Sequence, residues 1–172
     1  QAWQLGNSSP IPAWEQVEQI VIAGMGGSAI GGDLLAAYTL PHCRVPLVVH
    51  RDYGLPAWAR GPQTLVIASS HSGNTEEVLD SFNEAQSRGC RLLAITTGGA
   101  LAHQAQAAGA PVWRFEHKGQ PRAAVGFSFC LLLAALTRLQ LVPDPSGEMD
   151  EAIHAMREQQ QDIQADIPDV HN

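Results

Sequence analysis

Short polar side chains surround one glycine in the stretch Ser70-His71-Ser72-Gly73-Asn74-Thr75. The apolar run that precedes it, 64–69, is typical of a buried strand, and the residues that follow, 76–82, are typical of the first turns of a helix. The stretch is therefore predicted to be a strand-to-helix loop, where the free N–H groups of a helix N-terminus converge. The positive end of the helix dipole and the small side chains favour an anion such as a phosphate ester.

A helix cap is the alternative explanation for these polar residues. Asn74 or Thr75 could cap the helix and satisfy one of its free amides. Capping accounts for one hydroxyl or amide, but not for four such side chains around a glycine. Both explanations stay open on these residues alone.

A second loop with little side-chain bulk follows the first predicted strand, as Gly24-Met25-Gly26-Gly27-Ser28. Together with Ala29 it matches the loose dinucleotide pattern G-x-G-x-x-G/A, so a NAD-binding Rossmann domain is one hypothesis. That site needs an acidic residue at the end of the second strand, and Asp52 comes slightly late. Two adjacent glycines instead let backbone N–H groups approach an oxygen-rich ligand, to which Ser28 adds a hydroxyl.

Arg122 lies at the start of a long apolar helix, directly after Pro121. The helix dipole disfavours a positive charge there, so we expect Arg122 to face a bound anion; the alternative is a surface arginine. His71 is expected to be an exposed loop residue rather than a catalytic one. The other histidines show no spacing typical of metal ligands, so no metal site is predicted.

Five strand patterns alternate with helix patterns along the chain, which predicts an α/β fold with a doubly wound, five-stranded parallel sheet flanked by helices. In such a sheet ligands bind outside the carboxyl ends of the strands, where the loops above would all lie. The predicted strands are 19–24, 45–49, 64–69, 91–96 and 111–115. The predicted helices are 33–40, 75–88, 99–108, 123–141 and 148–166, and residues 1–13 are expected to be irregular.

Composition limits the class of protein. The 172 residues suffice for one α/β domain, with 45% hydrophobic and 16% charged residues. A net charge of −7 and only 10 Lys and Arg residues argue against a nucleic-acid surface. Cys43, Cys90 and Cys130 are too widely spaced for a disulfide framework or a metal knuckle, which predicts a reducing compartment and a cytoplasmic protein. No apolar run is expected to span a bilayer.

Three motifs together resemble a known family. They are Gly-Met-Gly-Gly-Ser at 24–28, Ser-His-Ser-Gly-Asn-Thr-Glu-Glu at 70–77 and Pro-Arg-Ala-Ala at 121–124. The combination resembles the sugar isomerase (SIS) domain and, more narrowly, the bifunctional phosphoglucose/phosphomannose isomerases of bacteria and archaea. The resemblance runs from about Trp14 to Pro143.

The resemblance implies an SIS domain with a flavodoxin-like strand order. It also implies aldose–ketose isomerisation through an enediol, interconverting glucose-6-phosphate or mannose-6-phosphate with fructose-6-phosphate, without a metal or nucleotide cofactor. Arg122 would lie beside the reacting carbons as a catalytic residue. The residues implied to bind substrate are Gly26, Gly27 and Ser28 for the sugar hydroxyls, and Ser70, Ser72 and Thr75 for the phosphate.

The resemblance further implies that this chain is the N-terminal half of a longer enzyme. Residues 1–145 would form the SIS domain, and residues 146–172 a helix and linker toward a second SIS domain absent from this chain. The family's proton-transferring Glu, ring-opening His and Lys lie in that second domain, and no residues here match their motifs. The family forms homodimers, and the apolar stretch 123–141 could serve that contact. The alternatives are a non-catalytic phosphosugar-binding or regulatory SIS domain and the NAD-binding domain.

Overall fold

The computed structural model describes residues 1–165, within two compact units, Gln1–Val142 and Pro143–Asn172. The first unit is built on a sheet of five parallel strands in the order β2-β1-β3-β4-β5. This confirms the predicted α/β fold and its doubly wound, flavodoxin-like order. The strands are β1 (Gln19–Gly24), β2 (Leu47–His50), β3 (Thr64–Ser70), β4 (Arg91–Thr96) and β5 (Val112–Arg114).

Helices cover both faces of this sheet, which explains why β1, β3 and β4 are apolar almost throughout. One core cluster joins α3 and α4 to sheet residues such as Val21 and Val66. On the side of Ile22, α2 packs closely against the sheet and contacts α5, which in turn contacts α1. The helices of this unit are α1 (Ala2–Ser8), α2 (Gly26–Thr39), α3 (Glu76–Ser87), α4 (Gly99–Ala107) and α5 (Val125–Arg138).

Helix α2 begins at Gly26, seven residues earlier than the sequence predicts. Glycines have low helix propensity, so the run before Asp33 was expected to be a loop. Packing decides otherwise. A Cβ placed on Gly31 would lie 2.5 Å from the Cβ of Ser128 on α5, and one on Gly32 would lie 3.2 Å from Val49 Cγ2. The glycines let α2 approach its neighbours closely, and this contact outweighs propensity.

The prediction of an irregular N-terminus is also wrong, since residues 2–8 form α1. Tertiary contacts hold this helix in place, and no local sequence pattern predicts them. A Cβ on Gly6 would lie 2.5 Å from the Cβ of Ala134 on α5, so the two helices nearly touch. Arg138 of α5 donates hydrogen bonds to the carbonyls of Gly6 and Ser9.

The long apolar helix predicted for 123–141 is shorter and begins differently. A turn of 3-10 helix, Pro121–Ala124, leads into α5, which ends at Arg138. By length and composition alone the segment Pro121–Arg138 could cross a membrane, contrary to the expectation from the sequence. Residues 131–136 are, however, fully buried in the fold, which is the environment of a core helix.

The second unit contains α6 (Ser146–Ala165), whose bounds nearly match those of the helix predicted for 148–166. Residue 166, the last one of the predicted helix, lies outside the described residues. Asp144 supports the start of α6, because its carboxylate accepts hydrogen bonds from the amide and the hydroxyl of Ser146, at 3.0 and 2.6 Å. The placement of a domain boundary at residue 145 and of a linker beyond it stays a prediction.

Candidate functional site

The carboxyl ends of β1 and β3 lie side by side, at the point where the strand order reverses. Gly24 pairs with Ser69 in the sheet register, and the chain leaves β1 for α2 and β3 for α3. Two helix N-termini, with their free amides, are therefore brought to one rim of the sheet. Ligands bind at such a switch point in doubly wound folds.

The β3–α3 loop is closed by hydrogen bonds of its own hydroxyls. Ser70, which the structure assigns to the end of β3, has its hydroxyl 2.9 Å from that of Thr75 and accepts a hydrogen bond from the amide of Gly73 at 3.0 Å. Ser72 accepts one from the amide of Asn74 at 3.2 Å. The three hydroxyls of the predicted phosphate site therefore belong to a single compact loop.

Thr75 stands at the N-cap position of α3, yet within the described chain its side chain makes no capping hydrogen bond to that helix. The side chain of Asn74 is engaged elsewhere, since its carbonyl oxygen accepts from the amide of Ala100 at the start of α4, 3.0 Å away. The simple helix cap weighed from the sequence is thus not what these residues form. The first amides of α3 are left for another acceptor, as an anion site requires.

Glycines allow the β3–α3 loop to pack against the start of α4. Gly73 has a φ of +68°, and a Cβ there would collide with the carbonyl group of Gly98, whose carbon would lie 2.7 Å away. The carbonyl of Gly73 accepts a hydrogen bond from Leu101 at 2.8 Å. The loop is therefore fixed from two sides before any ligand arrives.

The glycine turn after β1 lies against the segment that carries Arg122. A Cβ placed on Gly27 would be 3.2 Å from the carbonyl oxygen of Pro121 and 3.7 Å from the Cα of Arg122. Gly26 is exposed with a φ of +50°, and Ser28 is buried. Arg122 is exposed and, among residues 1–165, has no ion-pair partner. The structure thus brings together the glycine turn and the backbone at Arg122, which the sequence separates by about 95 positions.

His71 is not the exposed loop residue that the sequence predicts. It is half-buried, and its Nε2 lies 3.0 Å from Nδ1 of His117 in the loop after β5. Burial, and then the charge of His117, hold the pKa of His71 below its usual value, so the neutral imidazole is favoured. His117 was given no role from the sequence, and no local signal could have found it, since the two residues are 46 positions apart.

The loop after β2 does not present the acidic residue that a dinucleotide site needs. β2 ends at His50, and the carboxylate of Asp52 accepts a hydrogen bond from the amide of Tyr53 at 2.8 Å. Arg51 forms an ion pair with Asp33 of α2. These local contacts occupy the charged groups of this loop, which weighs against the NAD hypothesis.

Across residues 1–165, no three His, Cys, Asp or Glu side chains are grouped so that they could hold a metal ion.

Comparison with known proteins gives strong sequence relatives, although no protein-family model matches the chain. The bifunctional phosphoglucose/phosphomannose isomerase of Caldicellulosiruptor bescii is 40% identical over 172 residues, which is 99% of this chain and 50% of that protein. The chain therefore spans about half the length of this curated relative.

Solved structures share the fold at lower identity. The sugar isomerase domain of an RpiR transcription factor from Sphaerobacter thermophilus has a TM-score of 0.55 at 19% identity, covering 93% of this chain and 86% of that one. The NanR protein of Vibrio vulnificus, complexed with ManNAc-6P, has a TM-score of 0.54 at 21% identity, covering 83% and 56%. By sequence the chain is homologous to about half the length of a bifunctional phosphoglucose/phosphomannose isomerase, and by fold it is a sugar isomerase (SIS) domain.

Proposed function

We propose that this chain is the N-terminal, substrate-binding half of an aldose–ketose isomerase that interconverts glucose-6-phosphate or mannose-6-phosphate with fructose-6-phosphate. The observation that carries the proposal is the N-terminus of α3. Within the part of the chain that the structure describes, its N-cap residue makes no side-chain cap, and three hydroxyls of one loop, on Ser70, Ser72 and Thr75, stand beside it. Amides at a positive dipole end and short hydroxyls are the donors that a phosphate dianion needs, in a chain whose net charge of −7 offers no basic field.

The sugar would extend from this phosphate site toward the glycine turn after β1. Gly24 and Ser69 are register partners, so the two rim loops are neighbours. Backbone amides at Gly26 and Gly27 and the hydroxyl of Ser28 would then meet the sugar hydroxyls. Arg122, whose backbone packs on Gly27, would lie near the reacting carbons and stabilise the negative charge of the enediol oxygens.

Proton transfer between the neighbouring carbons requires a general base. We assign that base, a Glu, to a second SIS domain, together with the residues that open the ring. This chain would supply binding and charge stabilisation, and turnover would need both domains. We further propose that the longer protein is a homodimer with the active site at the subunit interface.

Ligand-dependent melting of the 172-residue chain tests the proposal. Fructose-6-phosphate or a linear sugar-phosphate analogue should raise the melting temperature, because a ligand at 100 times its Kd stabilises the folded state by about 2.7 kcal/mol. Fructose without the phosphate is the matched control and should have little effect. Stabilisation by NAD, with none by the sugar phosphates, would contradict the proposal and support the dinucleotide hypothesis.

A regulatory SIS domain is the second candidate, favoured by the fold match to an RpiR transcription factor domain over 86% of that chain. Both candidates predict sugar-phosphate binding, so binding does not separate them. A coupled assay does. The chain alone should be inactive, whereas the longer protein should turn over both hexose phosphates if it is the isomerase. Tight binding without turnover in the longer protein would favour the regulatory candidate.

A further inference from the structure

Two histidine rings join the β3–α3 loop to the loop that leads to Arg122. Nε2 of His71 lies 3.0 Å from Nδ1 of His117, within hydrogen-bond distance. His71 is flanked by Ser70 and Ser72 of the proposed phosphate site. His117 lies between β5 and the 3-10 turn that begins at Pro121. In the described part of the chain, this hydrogen bond and a ring contact of His71 with Phe115 link the side chains of the two segments.

The pair is held by aromatic packing. The ring of His71 stands edge-on to Phe115 with centroids 5.8 Å apart, and Phe115 stacks on Phe127 of α5 at 5.2 Å. The ring of His117 lies 5.8 Å from that of Phe127 and edge-on to His71 at 5.2 Å. Gly119 folds over His117, since a Cβ there would lie 2.8 Å from Cε1. Both rings therefore have defined positions, as expected of side chains that fix a loop.

The main chain of His71 is anchored separately. Its carbonyl oxygen accepts hydrogen bonds from the hydroxyl and the amide of Thr97, at 2.7 and 3.2 Å. The backbone of His71 therefore has one anchor that does not depend on its ring, so a variant at the ring pair should not unfold the loop. A change at His117 would act on the direction and mobility of the His71 ring, and through it on the loop between Ser70 and Ser72.

Protonation governs whether the two rings attract. When at most one of the rings carries a positive charge, one nitrogen donates and the other accepts; when both are imidazolium ions, no acceptor remains and two charges repel at 3.0 Å. The side chains packed on the pair, Thr97, Phe115 and Phe127, are uncharged.

Charged residues flank the pair along the chain. Arg114, Glu116 and Lys118 are exposed neighbours of Phe115 and His117, and Glu76 and Arg122 are exposed at the starts of the adjoining helical segments. Among the described titratable groups, the charge that acts on His71 is that of His117. The charge of His117 therefore opposes the protonation of His71.

We infer that His117 is a positioning residue, which through its hydrogen bond to His71 holds the β3–α3 loop in the geometry that binds the phosphate of a hexose phosphate, and that acid weakens this binding by breaking the bond between the rings. The inference rests on the proposed function. It assigns His117 no contact with the substrate. It adds a pH-sensitive element that the hydroxyls and amides of the loop do not themselves contain.

Two variants separate the ring's hydrogen bond from its charge. His117→Phe keeps an aromatic ring beside Phe127 but removes the nitrogen that bonds to His71. His117→Asn places an amide near the position of Nδ1, so it preserves a hydrogen bond without a titrating group. Calorimetric affinities of the 172-residue chain for fructose-6-phosphate would be measured from pH 5.5 to pH 8. The ligand phosphate itself titrates near pH 6, so each variant is compared with the unchanged chain at every pH.

At pH 8 the affinity of His117→Phe should be about threefold to tenfold weaker than that of the unchanged chain, the usual net value of one hydrogen bond. His117→Asn should recover most of that loss. The ratio of the unchanged chain's affinity to that of His117→Asn should fall on going to pH 5.5, because only the unchanged chain develops repulsion between the rings. The NMR titration of His71 should also move to higher pH in both variants, since each removes the positive charge of His117.

Equal affinities and parallel pH profiles for all three proteins would overturn the inference and leave the proposed function standing. An unchanged chain that binds no hexose phosphate at any pH would overturn the proposed function and this inference with it. A His71 titration that is unaffected by either variant would show that the rings are not coupled, and would overturn the inference independently of any ligand.

Discussion

The hydroxyl oxygens of Ser70 and Thr75 lie 2.9 Å apart across the β3–α3 loop. This contact turns the Thr75 hydroxyl toward the end of β3 and away from the capping position that its place before α3 would allow. Ser70 in turn accepts from the amide of Gly73. The loop is internally closed while the start of the helix stays open, which is the arrangement expected of a preformed anion site.

Removal of single hydroxyls from this loop should weaken the binding of hexose phosphates. We expect Ser72→Ala and Thr75→Ala each to lower affinity by about 1–3 kcal/mol, the usual loss when a charge-assisted hydrogen bond is left unmade. Calorimetry on the 172-residue chain measures this. Thr75→Ser, which keeps the hydroxyl, and Ser87→Ala, at the far end of α3, should bind nearly as the unchanged chain does. Equal losses in Ser87→Ala would mean that the effect is not local.

Arg122→Ala should abolish turnover in the longer protein and leave the fold intact. The side chain is exposed and forms no ion pair among residues 1–165, so its removal should not change the melting temperature. Loss of a group that stabilises the enediol should reduce kcat about 100-fold or more. Arg44→Ala, another exposed arginine, is the control for net charge. Unchanged turnover would show that Arg122 has another task.

Gly73→Ala should destabilise the fold much more than Gly89→Ala. Both glycines have a positive φ, +68° and +71°, so both substitutions carry the backbone strain of about 1–2 kcal/mol for a left-handed residue. Only Gly73 also faces the backbone of Gly98, where no side chain can move away, and its total loss should reach about 3 kcal/mol or more. Urea unfolding monitored by circular dichroism compares the two. If both variants lost a similar free energy of unfolding, the loop at Gly73 would have to shift to make room for the added Cβ.

Gly31 and Gly126 offer a matched pair on packed helices. Gly31→Ala should destabilise the protein by about 1–3 kcal/mol, because its Cβ would lie 2.5 Å from that of Ser128 in the contact between α2 and α5. Gly126→Ala, with no described residue within 4 Å of the added Cβ, should stabilise α5 by roughly 0.5–1 kcal/mol. Opposite shifts in the urea midpoint are expected. A stabilising Gly31→Ala would contradict the close approach of these helices.

The stability of the protein should fall in acid, in part through His71. Burial and the nearby charge of His117 lower the pKa of His71 in the folded state, so below an unfolded pKa of about 6.5 the unfolded chain binds more protons than the folded one. His71 therefore contributes stability above its unfolded pKa, and this stability is lost as the pH falls through the pKa of His71 in the folded state. In His71→Asn the slope of unfolding free energy against pH should flatten there. A slope equal to that of the unchanged chain, measured by urea unfolding at each pH, would contradict this contribution of His71.

The sequence by itself determined the strands, the doubly wound class and the two rim loops. Runs such as 65–68 are apolar because both faces of a parallel strand are covered, and this signal is local and strong. Short hydroxyl residues beside a helix start are equally local, so the β3–α3 loop could be singled out before its geometry was known.

Only the tertiary structure decided which segments touch. Gly31 and Gly32 lie within a helix because Ser128, Val49 and Ile22 occupy the space that their side chains would need, and propensity contains no information about those neighbours. The pairing of His71 with His117 depends on β5 lying two strands away from β3 in the sheet. Contacts of this kind join residues far apart in the chain, so they follow from the packing of the whole sheet and not from any local pattern.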